Sequence, residues 1–132
     1  MIRKTNIRHS LAALAISALA LAGLAGAGTA AASGPAPTKV LIQAESGGFF
    51  GYVKSPKLEC KSERKIVLYK QLGSKPNPAT DQQVGMDLAQ ANNEGYEWNM
   101  GNPGLHSGRY YARAARTPQC KAANSVTLRA QP

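Results

Sequence analysis

The sequence predicts an all-β domain, a small β-sandwich of about seven strands. Three observations lead there. Beyond residue 38 the apolar residues recur at every second position rather than at helical spacing. Clusters of Gly, Pro, Asn and Ser separate these runs at roughly 8–12-residue intervals, the spacing of a strand-turn-strand chain. Finally, 43% of the residues are hydrophobic and 17% charged, a balance that can bury a core. The 132 residues suffice for one domain and exclude both a cofactor domain joined to a substrate domain and the several spans of a transporter.

The amino end reads as a secretory signal peptide over residues 1–32. Arg3, Lys4 and Arg8 precede an uncharged run, Leu11 to Leu24, which passes into the small residues Gly26 to Ala32. Small side chains at the −3 and −1 positions allow cleavage after Ala32, and after Ala30 or Ala31 as well. A retained membrane anchor is the competing reading, because Leu11–Ala32 holds 22 residues without a charge. Its later half is Ala and Gly, weakly apolar for a permanent span. Removing Arg3, Lys4 and Arg8 lowers the formal charge from +9 to +6, so the mature chain stays basic. Secretion to the extracellular space or the cell envelope is therefore expected. Ser33–Thr38, small and Pro-rich, reads as a flexible leader, and the sandwich domain as residues 39–132.

Within the domain, Lys39–Gln43 is a candidate short edge strand. Phe49, Gly51 and Val53 alternate with Phe50, Tyr52 and Lys54, which puts the first set on a buried face. Lys65–Lys70 is apolar on both faces, which fits either a central strand covered on both sides or a strand whose inward face the pattern misjudges. Val84, Met86 and Leu88, then Tyr96, Trp98 and Met100, then Tyr110, Ala112 and Ala114, and finally Val126, Leu128 and Ala130 are each expected to point inward. Asn92-Asn93-Glu94-Gly95 reads as a hairpin turn. Asp87–Asn92 is the one candidate helix, short and uncapped.

Both cysteines, Cys60 and Cys120, lie in the mature region, and in an oxidising compartment two cysteines with no third favour one intramolecular bridge. A reactive thiol or a metal pair is the alternative, against which stand the lack of a CxxC partner and a single mature histidine, His106.

Gly51-Tyr52-Val53-Lys54-Ser55, Lys65-Ile66-Val67-Leu68-Tyr69-Lys70, the strand from Val84, Asn93-Glu94-Gly95-Tyr96-Glu97-Trp98 and Gly108-Arg109-Tyr110-Tyr111-Ala112 together resemble the transthyretin-like (prealbumin-like) sandwich of carboxypeptidase regulatory domains and collagen-adhesin B-type repeats. The order is that of their G-x-V, V-x-L, G-aromatic-x-aromatic and G-x-Y strands. The chain is also similar to secreted bacterial variants in which a Cys before the second strand pairs with one near the carboxyl end, which implies a Cys60–Cys120 bridge. Such a resemblance implies an Ig-like architecture and, for function, a spacer, stalk or accessory module; a fold does not dictate an activity. No Lys, Asn and acid set stands where the adhesin repeats form their self-crosslink.

Candidate chemistry is sparse. His106 follows Leu105 in a Gly-flanked loop beside Ser107, with no nucleophile elbow. Asp81, Asp87, Glu94 and Glu97 fall within seventeen residues but lack calcium-loop spacing. No catalytic residue, metal or cofactor is expected. The sharper feature is the outer side of the Gly108 strand, where Arg109, Tyr111 and Arg113 are expected to project together, joined by Arg129 from the last strand. Arg and Tyr are contact residues at interfaces, and Arg binds carboxylate or phosphate through two parallel bonds. A second basic group, Lys54, Lys57, Lys61, Arg64 and Lys65, surrounds Cys60 and reads as a solvated loop. The expected function is a non-enzymatic structural or binding module whose partner is an anionic envelope polymer or an acidic protein, not nucleic acid and not the membrane interior. An inhibitor or toxin-like factor acting through loop 101–107 is the alternative.

Overall fold

Among the described residues the chain makes seven passes after the leader, which interruptions divide into ten strands. The computed structural model describes residues 34–45, 48–102 and 107–131; the signal-peptide assignment and His106, with most of the 101–107 loop, fall outside them. The strands are β1 (Lys39–Val40), β2 (Gln43–Glu45), β3 (Gly48–Lys54), β4 (Lys65–Gln71), β5 (Gln82–Leu88), β6 (Gln90–Ala91), β7 (Tyr96–Gly101), β8 (Gly108–Ala114), β9 (Ala123–Asn124) and β10 (Leu128–Ala130). They form two antiparallel five-stranded sheets. Sheet I runs β1-β3-β7-β6 with β2 also on β3, and sheet II runs β10-β8-β4-β5 with β9 also on β8. The expected all-β sandwich is the observed one. Among the described residues no helix is long and apolar enough to cross a membrane.

Three passes are broken, each for a local reason. In the first, Leu41 and Ile42 arch over Gly51: a Cβ at Gly51 would collide with the Leu41 carbonyl, and the Trp98 indole N–H donates to that same carbonyl at 3.2 Å. Ala89 interrupts another. Its N–H donates to the Arg64 carbonyl and its own carbonyl accepts from Glu63, so β5 leaves sheet II and the chain enters sheet I as β6. In the last pass Ser125 stands between β9 and β10, donating its N–H to the Ala112 carbonyl while its hydroxyl accepts from the Ala112 N–H. The side chain there replaces one rung of the ladder. The residues expected to form a helix at Asp87–Asn92 instead carry this change of sheet, and among the described residues the one helical turn is a short 3-10 segment at Leu58–Cys60.

The core between the sheets holds Val40, Ile42, Phe49, Val53, Ile66, Leu68, Ala89, Trp98, Tyr110, Ala112 and Ala114. Phe49 from sheet I packs on Tyr110 from sheet II with ring centroids 5.1 Å apart. The inward sets expected for β3, β7 and β8 are those observed. That of β5 is not. Gly85 pairs with Leu68 and Gln83 with Tyr69, so Val84 is an extra residue in a β-bulge, and a bulge reverses the alternation beyond it. Val84 packs on the core, but Met86 and Leu88 emerge on the outer face, 51% and 40% exposed. Val126, also expected inward, is 69% exposed because the Ser125 interruption precedes it.

The leader is not a free tether. Ala36 is buried and forms an isolated parallel bridge with Cys120, its N–H donating to the Gln119 carbonyl and its carbonyl accepting from the Lys121 N–H, each at 2.8 Å. Ala36 packs with Cys60 and Cys120, which form a disulfide. Beside it lies Arg64, only 5% exposed, whose guanidinium donates to the carbonyls of Cys60, Ala115 and Lys121 and to Thr38 Oγ1. Burial lowers its pKa. Carbonyl dipoles satisfy the buried cation, so Arg64 fastens the carboxyl-terminal loop rather than joining a solvated basic group.

Candidate functional site

Pairing and alternation fix the outer face of sheet II. Arg109 pairs with Gln71 and Arg129, Tyr111 with Tyr69, and Arg113 with Val67 and Asn124; paired residues in a sheet share a face, and this face is opposite the one carrying Tyr110, Ala112 and Ala114. The four residues expected to lie together there, Arg109, Tyr111, Arg113 and Arg129, do so.

Their exposure is not as expected. Tyr111 does not project: it is fully buried, its ring stacked on Tyr69 at 5.3 Å with the planes 14° apart and its hydroxyl donating to Asp81 Oδ2 at 2.7 Å. The cause is the loop after β4, which folds back over the sheet. Asp81 also accepts from the Leu72 N–H at 2.9 Å and the Asn77 N–H at 2.6 Å, so one carboxylate ties that loop to the face. Burial alone would raise the Asp81 pKa, but the bonds from Leu72, Asn77 and Tyr111, with the nearby Arg109 charge, outweigh it and hold the carboxyl below its ordinary value. Burial first, and the Asp81 bond second, push the Tyr111 hydroxyl upward.

The contact-forming groups are therefore the arginines, supplemented by a lysine that sequence reading did not place here. A depression of about 370 Å³ is lined by Gln71, Ser74, Lys75, Arg109, Thr127 and Arg129 among others, with three cations and no carboxylate. Arg109 is held by donation to the Gly73 carbonyl at 2.7 Å, and Arg113 by donation to Asn124 Oδ1 at 2.8 Å. Thr127 donates to Gln71 Oε1 at 2.8 Å. Arg129 is exposed. Lys75 belongs to the loop that Asp81 anchors, and no periodicity links a loop residue to a sheet face.

The other acids of the 81–97 cluster are occupied locally. Asp87 accepts from the Asn99 N–H at 2.8 Å, Glu94 from the Tyr52 hydroxyl at 2.6 Å and Glu97 from the Asn92 amide at 2.5 Å. Among the described residues no group of three His, Cys, Asp or Glu side chains is arranged to hold a metal. Lys61 lies over the Tyr96 ring, 5.2 Å from its centroid, away from the arginines. The fold and this face define a disulfide-bridged β-sandwich with one cationic outer sheet face. No protein-family model, curated protein or solved structure matches the chain.

Proposed function

We propose that the protein is a secreted, non-enzymatic binding module of transthyretin-like type that docks an anionic partner, an envelope polymer bearing phosphate or carboxylate groups, on the outer face of sheet II. The observation that carries this reading is the lining of the depression between β4, β8 and β10: Lys75, Arg109 and Arg129 converge with no carboxylate among them. Arg113 extends the charge along β8. Guanidinium groups held by Gly73 and Asn124 lose less side-chain freedom on binding than free ones, and planar forks match phosphate and carboxylate. The amino-terminal segment and the disulfide support an extracellular setting.

Co-sedimentation of the purified, disulfide-bonded protein with cell envelopes at low and moderate salt tests the reading. Exposed charges are screened within roughly 10 Å at 0.1 M salt, so binding is expected to fall as salt rises and to be lost in an Arg109→Ser/Arg113→Ser/Arg129→Ser variant. Binding that is absent, or indifferent to salt and to the substitutions, overturns it.

A further inference from the structure

We propose that a second depression on sheet II, beside Tyr69, is a subsite for a neutral pyranose oligosaccharide. It encloses about 490 Å³ and is lined by Val67, Tyr69, Gln83, Arg116, Thr117 and Glu63 among others, within the roughly 300–1,000 Å³ usual for small-ligand sites. Its chemistry differs from that of the cationic depression. Here acids and bases are mixed and carried beside an aliphatic and an aromatic wall, a combination suited to a ligand with hydroxyls on its rim and C–H groups on its faces.

The aromatic wall is prepared in advance. Tyr69 is half-buried and one side of its ring is covered by Tyr111, which the Asp81 bond immobilises. Tyr111 does not line the depression, so the uncovered part of the Tyr69 ring is what a ligand meets. A fixed ring costs little entropy on contact, and its negative face attracts the polarised C–H groups of a sugar. Gln83, the cross-strand partner of Tyr69, is exposed and offers both a donor and an acceptor. Arg116 and Glu63, also exposed, supply further donors and acceptors at the rim. None of these contacts needs a charged ligand, so the subsite stands apart from the docking of an anionic partner.

The test is titration of the disulfide-bonded protein with chitotetraose, cellotetraose and xylotetraose, followed by backbone amide shifts in NMR. At least one is expected to give saturable shifts centred on Val67, Tyr69, Gln83 and Arg116. Tyr69→Ala should weaken that binding about tenfold or more and Gln83→Ala several-fold, whereas Tyr69→Phe, which keeps the ring, should bind like the parent. Because Tyr69 supports Tyr111, Gln83→Ala and Arg116→Ala, both at exposed positions, decide the matter should Tyr69→Ala fail to fold. Saccharide binding should survive both moderate salt and the triple arginine variant, which separates its failure from that of envelope docking. No saturable shift with any of the three sugars up to about 10 mM, a range that registers even millimolar affinities, overturns the proposal, as does binding unchanged by Tyr69→Ala or, where that variant does not fold, by Gln83→Ala and Arg116→Ala.

Discussion

The Tyr111 hydroxyl donates to Asp81 Oδ2 at 2.7 Å, joining residues 30 apart in the chain. This bond turns an outward-facing tyrosine into a buried post on which the loop after β4 rests, and so brings Lys75 toward Arg109 and Arg129. Tyr111→Phe removes the hydroxyl and leaves the ring stacked on Tyr69. A hydrogen bond to a charged acceptor contributes about 2 kcal/mol, so urea unfolding should show a loss of that order. Envelope binding at low salt should be largely retained, since Arg109 and Arg129 stay on their strands and the Leu72 and Asn77 bonds to Asp81 still hold the loop that carries Lys75. A variant as stable as the parent would show the bond to be idle.

The contrast between Tyr111 and its neighbours shows what was legible in the sequence. Which face each β8 residue occupies follows from period-two alternation, and Tyr110, Ala112 and Ala114 lie inward as that pattern requires. How exposed the other face is depends on the loop after β4, closed by a bond between Leu72 and Asp81, nine residues apart in the chain, and alternation carries no information about loop closure. Two further misreadings have the same origin. Met86 and Leu88 fit an inward pattern until one bulge at Val84 reverses it, and its one mark in the sequence is Gly85, a glycine inside the strand, which period-two alternation passes over. Arg64 looks like a member of a solvated basic run, yet its partners are main-chain carbonyls, which no side-chain pattern can announce.

Asp81 should also make the fold acid-sensitive. In the unfolded chain an aspartate titrates at about 3.9, whereas in the fold its bonds hold the value lower. The folded state then binds fewer protons around that pH, so the stability from this group is fully present above the unfolded value and is lost as pH falls through the lower folded one. Asp81→Asn should be clearly less stable than the parent at neutral pH, and the gap should narrow below about pH 4. A gap of constant size in denaturant titrations across that range would exclude the linkage.

Gly51 is the residue at which the first pass has no room for a side chain. A Cβ there would strike the Leu41 carbonyl and approach Ile42 Cα at 3.1 Å, both main-chain atoms that cannot rotate away. Gly51→Ala must lift Leu41, separating it from the Trp98 indole and straining its N–H bond to the Tyr52 carbonyl. Overpacking of this kind costs about 1–3 kcal/mol. Trp98 is fully buried and is the one tryptophan of the chain, so fluorescence reads the site directly. A red-shifted emission with a lower melting temperature is expected, and unchanged emission would mean that the arch tolerates a methyl group.

The disulfide closes 60 residues, for which the chain-entropy account gives about 4 kcal/mol. Its structural reach is narrower than that figure implies. Cys120 is flanked by Gln119 and Lys121, whose backbone groups bond to Ala36, and Arg64 clasps the carbonyls of Cys60 and Lys121, while β4 and β8 are paired along six residue positions without help from the bridge. Replacing both cysteines with serine should therefore lower the melting temperature markedly and act unevenly. Amide exchange should speed most at Ala36 and Lys121, because the segments they belong to are held to the sandwich chiefly through this knot. The amides of Leu68 and Ala112, in the β4–β8 ladder, should keep the highest protection in the molecule. Equal acceleration at all four sites would mean that the bridge supports the whole sandwich, and equal melting with and without reductant in the parent protein would mean that it supports neither.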